Sequence, residues 1–185
     1  MKKVLMLLSA FFLLATDFQG QNVAIKTNLI YWATTTPNLS VEVKTARKYT
    51  FDLAVHYNAW SFKNDMTLRH YLFQPEYRFW PCKAFEGHFF GLHALYGRYN
   101  VGNIPFLHNF DTYTFRGYMS GGGVSYGYHW ALGRRWGMEA NIGLGYIYLD
   151  YKKYVYGECC AELVGRYKRN YFGPTKAGFS IIYLF

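Results

Sequence analysis

Apolar and polar residues alternate at every second position through most of the chain after residue 22. In residues 136–148, Trp, Met, Ala, Ile, Leu and Tyr occupy the even positions, whereas Gly, Glu and Asn occupy most odd positions. A period of two residues indicates a strand with one apolar and one polar face, whereas an amphipathic helix has a period of about 3.6. The pattern therefore predicts a β protein.

The same alternation predicts eight strands and a single domain over residues 21–185. The strands lie near residues 23–33, 38–45, 49–60, 69–80, 88–98, 116–130, 135–149 and 171–185. The connections on one side are then short, at 46–48, 81–87 and 131–134. The connections on the other side are 34–37, 61–68, 99–115 and 150–170, and two of these are long.

Strands with two unlike faces suit either a soluble barrel with an apolar interior or a membrane barrel with an apolar exterior. Aromatic residues make up 22% of the chain and charged residues 17%, yet mean hydropathy is −0.11. Aromatic residues such as Trp136 and Tyr148 stand near both ends of the apolar faces, while Gly and ionisable residues occupy the polar faces. This favours an all-β, eight-stranded, antiparallel, up-and-down transmembrane β-barrel. A soluble exported β-sandwich or a lipocalin-like barrel is the alternative.

The two ends of the chain carry signals that agree with a membrane barrel. Met1–Gly20 reads as a signal peptide, because Lys2 and Lys3 precede the apolar run Val4–Ala15, which is too short to span a bilayer as a helix. A buried helix or an uncleaved anchor is the alternative. The chain ends with apolar residues at alternate positions, like the signal read by the barrel-insertion machinery of bacterial outer membranes: Phe179, Ile181, Tyr183 and Phe185. We therefore expect an outer-membrane location.

The polar faces of the predicted strands place charged residues inside the barrel. These residues are Lys26, Glu42, Lys44, Asp52, Glu76, Arg78, Glu139 and Lys176. The set is neutral, and buried charges must be paired. An interior bounded by eight strands is filled by side chains, so we predict a salt-bridged plug with a structural role. A narrow small-solute channel is the alternative.

Basic residues are concentrated in the last predicted loop. They are Lys152, Lys153, Arg166, Lys168 and Arg169. Cations at the outer rim of a barrel suit the phosphates of lipopolysaccharide. Outer-membrane lipid and lipopolysaccharide are therefore the expected partners, and the net charge of +9 does not by itself indicate nucleic acid in an exported protein.

Catalytic residues are not evident. His56 and His70 fall on polar faces of neighbouring strands, with Asp52 and Ser61 nearby, so a lipid-A-modifying hydrolase is the enzymatic alternative. No G-x-S-x-G elbow occurs. We predict no catalytic residues, no metal, no cofactor and a non-enzymatic protein.

Two further motifs carry no chemistry. Gly121–Gly123 lacks the Lys-Ser/Thr ending of a phosphate-binding loop. Cys82 falls at the opposite end of the predicted barrel from Cys159 and Cys160, too far for a disulfide. A strained bridge between Cys159 and Cys160 is the alternative to free thiols.

Five short motifs resemble a known family. They are KTNLIY at 26–31, TPN at 36–38, GGGVSYGY at 121–128, GLGY at 143–146 and YFGPTKA at 171–177. Together they are similar to a family of small outer-membrane proteins from Bacteroidetes-type bacteria, classified as a domain of unknown function. The resemblance implies a β-barrel membrane protein, sometimes linked with surface structures such as fimbriae, for which no catalytic residues are established. Surface or fimbrial proteins are therefore further expected partners.

Overall fold

Eight antiparallel strands pair in chain order and close into one barrel, which confirms the predicted fold class. The computed structural model describes residues 22–61, 67–102, 113–155 and 162–185; the predicted signal peptide, residues 1–20, lies outside them. The strands are β1 (Val23–Asn28), β2 (Asn38–Ala46), β3 (Tyr49–Ser61), β4 (Thr67–Phe79), β5 (Gly87–Gly102), β6 (Tyr113–Ala131), β7 (Trp136–Val155) and β8 (Glu162–Leu184). A short helix, α1 (Leu29–Ala33), follows β1.

The barrel wall is much taller on one side than on the other. The strands lengthen along the chain, from 6 residues in β1 to 23 in β8. β1 closes the barrel against β8 only from the Ala24–Leu184 pair to the Asn28–Ser180 pair. We call the end with connections 47–48, 80–86 and 132–135 the turn end, and the opposite end the loop end. The longer strands therefore extend the wall beyond the closed section at the loop end.

The first strand is shorter than predicted. The prediction of a strand over 23–33 is wrong beyond Asn28, because the Asn28 side chain accepts a hydrogen bond from the Ile30 amide at 3.0 Å and begins α1. The Asn28 amide in turn donates to the Asn38 side-chain oxygen at 2.6 Å. The first loop-end connection thus runs over residues 29–37 and contains a helix.

The described parts of the two long predicted loops are strand. Strands β5 and β6 include 99–102 and 113–115, and β7 and β8 include 150–155 and 162–170, so the loop predictions are wrong for these residues. The rest of each predicted loop lies outside the described residues. The extensions are held by their ladders and by aromatic contacts across neighbouring strands. The Tyr151 ring stacks on Tyr167 at 5.8 Å and meets Phe115 at 5.7 Å between centroids.

The turn end is filled by an apolar cluster inside the barrel. The Trp80 ring lies 4.9 Å from Phe89 and 6.0 Å from Phe85, and its indole nitrogen donates to the Thr50 hydroxyl at 2.9 Å. The 80–86 connection therefore folds inward, and Phe85 adopts a left-handed backbone conformation with φ of 67°. The expectation of a polar interior is wrong at this end, because the lumen narrows to a packed core. The cluster comprises Ala24, Trp80, Ala84, Phe85, Phe89, Ile182 and Leu184.

Candidate functional site: a buried ion network inside the barrel

Arg78 is the centre of a network of ion pairs in the middle of the lumen. Its guanidinium donates to Glu76 and Glu139, at 2.7 and 2.8 Å. It also reaches Glu42 at 3.1 Å and Asp52 at 3.3 Å. Strands β2, β3, β4 and β7 each supply one of these carboxylates, because their polar faces all point inward. The planar five-donor fork of arginine can contact this many oxygens at once.

Two lysines complete the network from the strands that close the barrel. Lys26 on β1 lies 2.6 Å from Glu42, 3.1 Å from Asp52 and 3.6 Å from Glu139. Lys176 on β8 lies 2.7 Å from Glu76. The network therefore ties the first and last strands to the centre of the sheet.

Seven of the eight residues predicted for the interior are brought together, and Lys44 is not. Lys44 is half-buried and forms no ion pair with the described part of the chain. It lies beside a register shift near the turn end of β2, where the strand leaves the network. The remaining set holds three cations and four carboxylates, a formal charge of −1 instead of the predicted balance.

Neutral side chains that the sequence reasoning missed satisfy the excess carboxylate oxygens. The hydroxyls of Ser40, Thr50 and Ser125 donate to Asp52, Glu42 and Glu76, respectively. Asn141 donates to Glu139 at 2.8 Å. The one sequence signal that could have found them is their position on the inward face, in step with the charged residues.

A glycine on β5 makes room for the network. A Cβ atom at Gly91 would overlap the Glu76 carboxylate and the Ser125 hydroxyl. A Cβ at Gly143, on β7, would meet the Lys176 side chain at 3.0 Å. Small residues on the inward face therefore set the space in which the charged side chains meet.

The loop end of the lumen is covered by α1 and the residues after it. The Tyr31 ring packs on His56 at 4.0 Å between centroids. Asn58 donates to the Thr36 hydroxyl at 3.0 Å, and the Trp60 indole donates to the Thr35 carbonyl at 2.9 Å. Below this cover lies a cavity of about 30 Å³, lined by network residues, which has room for about two water molecules.

The histidines considered for catalysis do not form a triad within the described residues. His56 is buried under Tyr31, and the residue opposite His70 in the β3–β4 register is Asn58. Asp52 is engaged by Arg78, Lys26 and Ser40. The side chain of Ser61 lies outside the described residues.

The outer surface of the barrel carries a continuous apolar band. Leu92 and Val124 are the most exposed members of its middle, at 66% and 63% of their full surface. On β7 the band runs from Trp136 to Tyr146, a rise of about 25 Å along the axis at roughly 3.3 Å per residue and a tilt of about 40°. Further exposed members are Ile25, Leu39, Phe51, Val55, Tyr71, Phe73, Tyr77, Phe79, Phe90, Tyr96, Tyr126, Ile142, Leu144 and Ile181.

The C-terminal residues belong to the edge of this band at the turn end. The Tyr183 ring lies 5.0 Å from Trp136 and 4.9 Å from Phe185, which is 60% exposed. Phe179 and Ile181 stand on the same outward face. The Phe185 amide donates to the Val23 carbonyl at 2.9 Å, which links the last residue to the start of β1 at the turn end.

The five basic residues predicted for a loop lie on β7 and β8 and divide between two faces. Register and alternation put Lys152, Arg166 and Lys168 on the outer face, just beyond the apolar band. Lys153 and Arg169 stand on the inner face, and the Lys153 ammonium lies 3.4 Å from the centre of the Tyr113 ring.

Arg166 is not a free cation, because it binds Asp150. Its Nε and Nη2 atoms donate to the two carboxylate oxygens at 3.0 and 2.8 Å, and this hydrogen bonding lowers the pKa of Asp150. Arg98 and Arg116, which the sequence reasoning did not single out, stand at a similar height on the outer faces of β5 and β6. Together these side chains form what we call the basic rim: Arg98, Arg116, Lys152, Arg166 and Lys168.

The cysteines and metal-binding residues add no further site. Cys82 is exposed at the turn end and unpaired within the described residues, while Cys159 and Cys160 lie outside them. No group of three or more His, Cys, Asp or Glu that could hold a metal ion occurs in the ranges that the structure describes.

Fold and site define a closed eight-stranded β-barrel with a charged, packed interior and an apolar exterior. The chain belongs to the family described as "Protein of unknown function (DUF3575)", which matches residues 4–185. No curated protein and no solved structure matches it. None of its described helices is long and apolar enough to cross a membrane.

Proposed function

We propose that the protein is a non-enzymatic outer-membrane β-barrel that stabilises the envelope and contacts lipopolysaccharide through its basic rim. The observation that carries this proposal is the inverted polarity of the barrel. Seven charged side chains are buried at the centre, whereas large apolar side chains cover the outside. Soluble monomeric proteins rarely expose contiguous apolar patches of more than a few hundred Å².

The dimensions of the exterior suit a bilayer. Membrane barrels present an outward apolar band about 25 Å tall, with aromatic girdles at its two edges. Here Trp130, Trp136 and Tyr183 stand at the turn end of the band, and Tyr146 and Tyr148 at its loop end. The predicted signal peptide, Met1–Gly20, and the alternating apolar residues of 179–185 agree with such a location.

The network inside acts as a structural plug. Arg78, Lys26 and Lys176 bind carboxylates from β2, β3, β4 and β7, so the interior is filled between the Trp80 cluster and α1. A rigid interior supports a scaffold for lipid and surface contacts better than a solute channel. Discrete openings in planar-bilayer recordings of the purified protein would contradict this part of the proposal.

In a membrane, the basic rim would lie at the height of the lipid phosphates. Lys152 and Lys168 follow the aromatic edge of the band by one or two outward-facing positions on their strands. Each exposed cation near an anionic membrane surface contributes about 1 kcal/mol, or about a fivefold change in affinity. The rim thus attracts phosphorylated lipid electrostatically.

The faces of β7 and β8 provide a matched experiment for lipopolysaccharide contact. Lys152→Gln and Lys168→Gln remove outward cations, whereas Lys153→Gln and Arg169→Gln remove inward cations from the same strands. In a titration of purified protein with labelled lipopolysaccharide, we expect the outward pair to weaken binding by about fivefold per residue and the inward pair to leave it unchanged. Equal effects of the two pairs would refute the rim.

Membrane location and the lack of catalysis are tested in cells. The protein should resist carbonate extraction and migrate differently on a gel before and after heating, as folded barrels do. A protein released by carbonate, without a mobility shift, would refute the membrane proposal.

Mass spectrometry of lipid A from a deletion strain should show an unchanged profile, and a changed profile would support a hydrolase that uses His56 or His70.

A further inference from the structure

The last strand of the barrel has a long edge with no described strand beside it. β8 begins at Glu162, but its pairing with β1 begins only at Ser180. The Asn28 side chain donates to the Ala177 carbonyl at 3.1 Å, and α1 also contacts β8. Among the residues that the structure describes, nothing pairs with β8 on that side toward the loop end of Ala177. We call residues 162–174 on the side away from β7 the open edge.

The register shows which backbone groups face the open edge. Near the turn end, the Leu184 amide donates to Arg135, before β7, and the Phe185 amide donates to Val23 of β1, so even residues face β7. A bulge between Lys176 and Pro174 shifts this alternation by one residue. Between this bulge and a second one at Val164, odd residues bond to β7 and even residues turn their N–H and C=O groups to the open edge.

The position of proline agrees with this assignment. Pro174 is an even residue, so the N–H that proline lacks would have pointed to the open edge, where no ladder bond is lost. The even residues between Pro174 and the loop end have N–H groups and are exposed: Arg166, Lys168, Asn170 and Phe172. Phe172 is 82% exposed. The open edge is therefore an available template for strand pairing rather than one closed by proline along its length.

The charge of the open edge selects what can pair with it. Residues 162–172 contain Arg166, Lys168 and Arg169 against Glu162, a formal charge of +2. Because Asp150 binds Arg166, the charge offered to a partner comes mainly from Lys168 and Arg169. A second copy is disfavoured, because antiparallel pairing about Tyr167 would place Arg166 opposite Lys168, and pairing about Lys168 would oppose that residue to itself. Like charges directly opposite one another destabilise a strand pair.

We propose that the open edge of β8 binds an extended acidic segment of another protein by strand addition. Main-chain hydrogen bonds to the even residues supply binding, and the basic side chains select carboxylates at alternate positions of the partner. Residues 162–170 of the site stand at the loop end, beyond the apolar band that ends where Tyr146 pairs with Phe172, and a partner outside the membrane can reach them there. This inference concerns a protein partner and shares only Arg166 and Lys168 with the lipid contact of the basic rim.

The test uses the full-length folded protein and a defined peptide. The probe is an acetylated, amidated, labelled peptide of about ten residues in which Glu alternates with Val and Thr. We expect saturable binding by fluorescence anisotropy that weakens with salt, and weaker binding of the same peptide with Lys in place of Glu. Equal binding of the two peptides, or no binding of the acidic one, would overturn the proposal.

A charge-neutral pair of variants isolates the backbone contribution. Asn170→Pro removes one N–H from the open edge, whereas Asn170→Ala keeps that N–H and removes only the side chain. Loss of one hydrogen bond predicts about 2- to 12-fold weaker peptide binding for the proline variant and no change for the alanine variant. Equal affinities would overturn strand addition. Neither variant alters a cation, so lipopolysaccharide binding should remain as in the unmodified protein.

Two measurements on the unmodified protein do not depend on the folding of a variant. Amide hydrogen exchange should slow at Arg166, Lys168 and Asn170 when the acidic peptide binds, because these N–H groups acquire partners. A peptide N-methylated at every residue should bind weakly, since neither of its edges can donate along the ladder. Binding without protection of these amides, or unimpaired binding of the methylated peptide, would show side-chain attraction alone and refute the proposal.

Discussion

Replacing Arg78 by Met is the most informative perturbation of the interior. The guanidinium contacts four carboxylates within 3.3 Å, and its side chain is 1% exposed. Its removal changes the formal charge of the network from −1 to −2 and leaves Lys26 and Lys176 to balance all four carboxylates. Methionine fills similar space but donates no hydrogen bond, so the carboxylates lose their common partner.

The expected cost follows from buried ion pairs in general. Removing one partner of such a pair costs about 3–5 kcal/mol, because a charge stays buried without compensation. The hydroxyl donors Ser40, Thr50 and Ser125 and the two lysines retain part of the compensation. We therefore expect the free energy of unfolding to fall by about 3 kcal/mol, the lower end of that range.

The assay is reversible urea unfolding of the barrel in lipid vesicles, followed by tryptophan fluorescence and by migration on unheated gels. Lys44→Met is the matched control. It also replaces a cation with methionine at a position predicted to face the interior, but Lys44 lies outside the network. It should change stability by less than about 0.5 kcal/mol. If Arg78→Met costs no more than Lys44→Met, the network does not stabilise the barrel and the reasoning is refuted.

Three further perturbations test the exterior, the packing and the loop end. Leu92→Lys should cost about 2–4 kcal/mol in unfolding from lipid vesicles, as for a cation at the bilayer midplane, whereas a change near zero would contradict lipid contact. Gly91→Val should cost at least about 1–3 kcal/mol, because its side chain overlaps buried network atoms, while Gly133→Ala, which meets nothing within 4 Å, should be neutral. Asp150→Asn should be less stable than the unmodified protein at neutral pH: Arg166 lowers the folded-state pKa of Asp150, so its contribution is present above the ordinary pKa of about 3.9 and is lost as pH falls through the lowered value. A stability difference that does not shrink in acid would contradict that prediction.

Alternation predicted the strands and the faces well, because each strand has one face toward charged neighbours and one toward an apolar surrounding. The seven network residues can be assigned to the interior from the alternation alone. The alternation does not show where along the barrel axis a residue lies, and for that reason it wrongly includes Lys44 in the network. It also misses neutral partners such as Ser125, since a serine on a polar face gives no distinct signal.

Local exceptions to strand geometry were not predictable from the pattern. Residues 29–33 continue an apolar stretch, but the Asn28 side chain caps a helix there. The extensions of β7 and β8 contain charged residues that suggest a loop, but their ladder and side-chain contacts such as Tyr151 with Tyr167 hold them as strand. The bulge at Pro174 reverses which face Lys168 and Arg169 occupy, and this depends on pairing with β7.

The most direct test of the inverted barrel is the accessibility of a spin label at Leu92 in lipid vesicles. With the native cysteines replaced by serine, a label at Leu92→Cys should collide frequently with oxygen, which concentrates in lipid, and rarely with a water-soluble nickel chelate. A label at Lys168→Cys, on the outer face above the apolar band, should show the opposite preference. Frequent collision of the Leu92 label with the nickel chelate would show that the apolar band faces water and would contradict the membrane barrel.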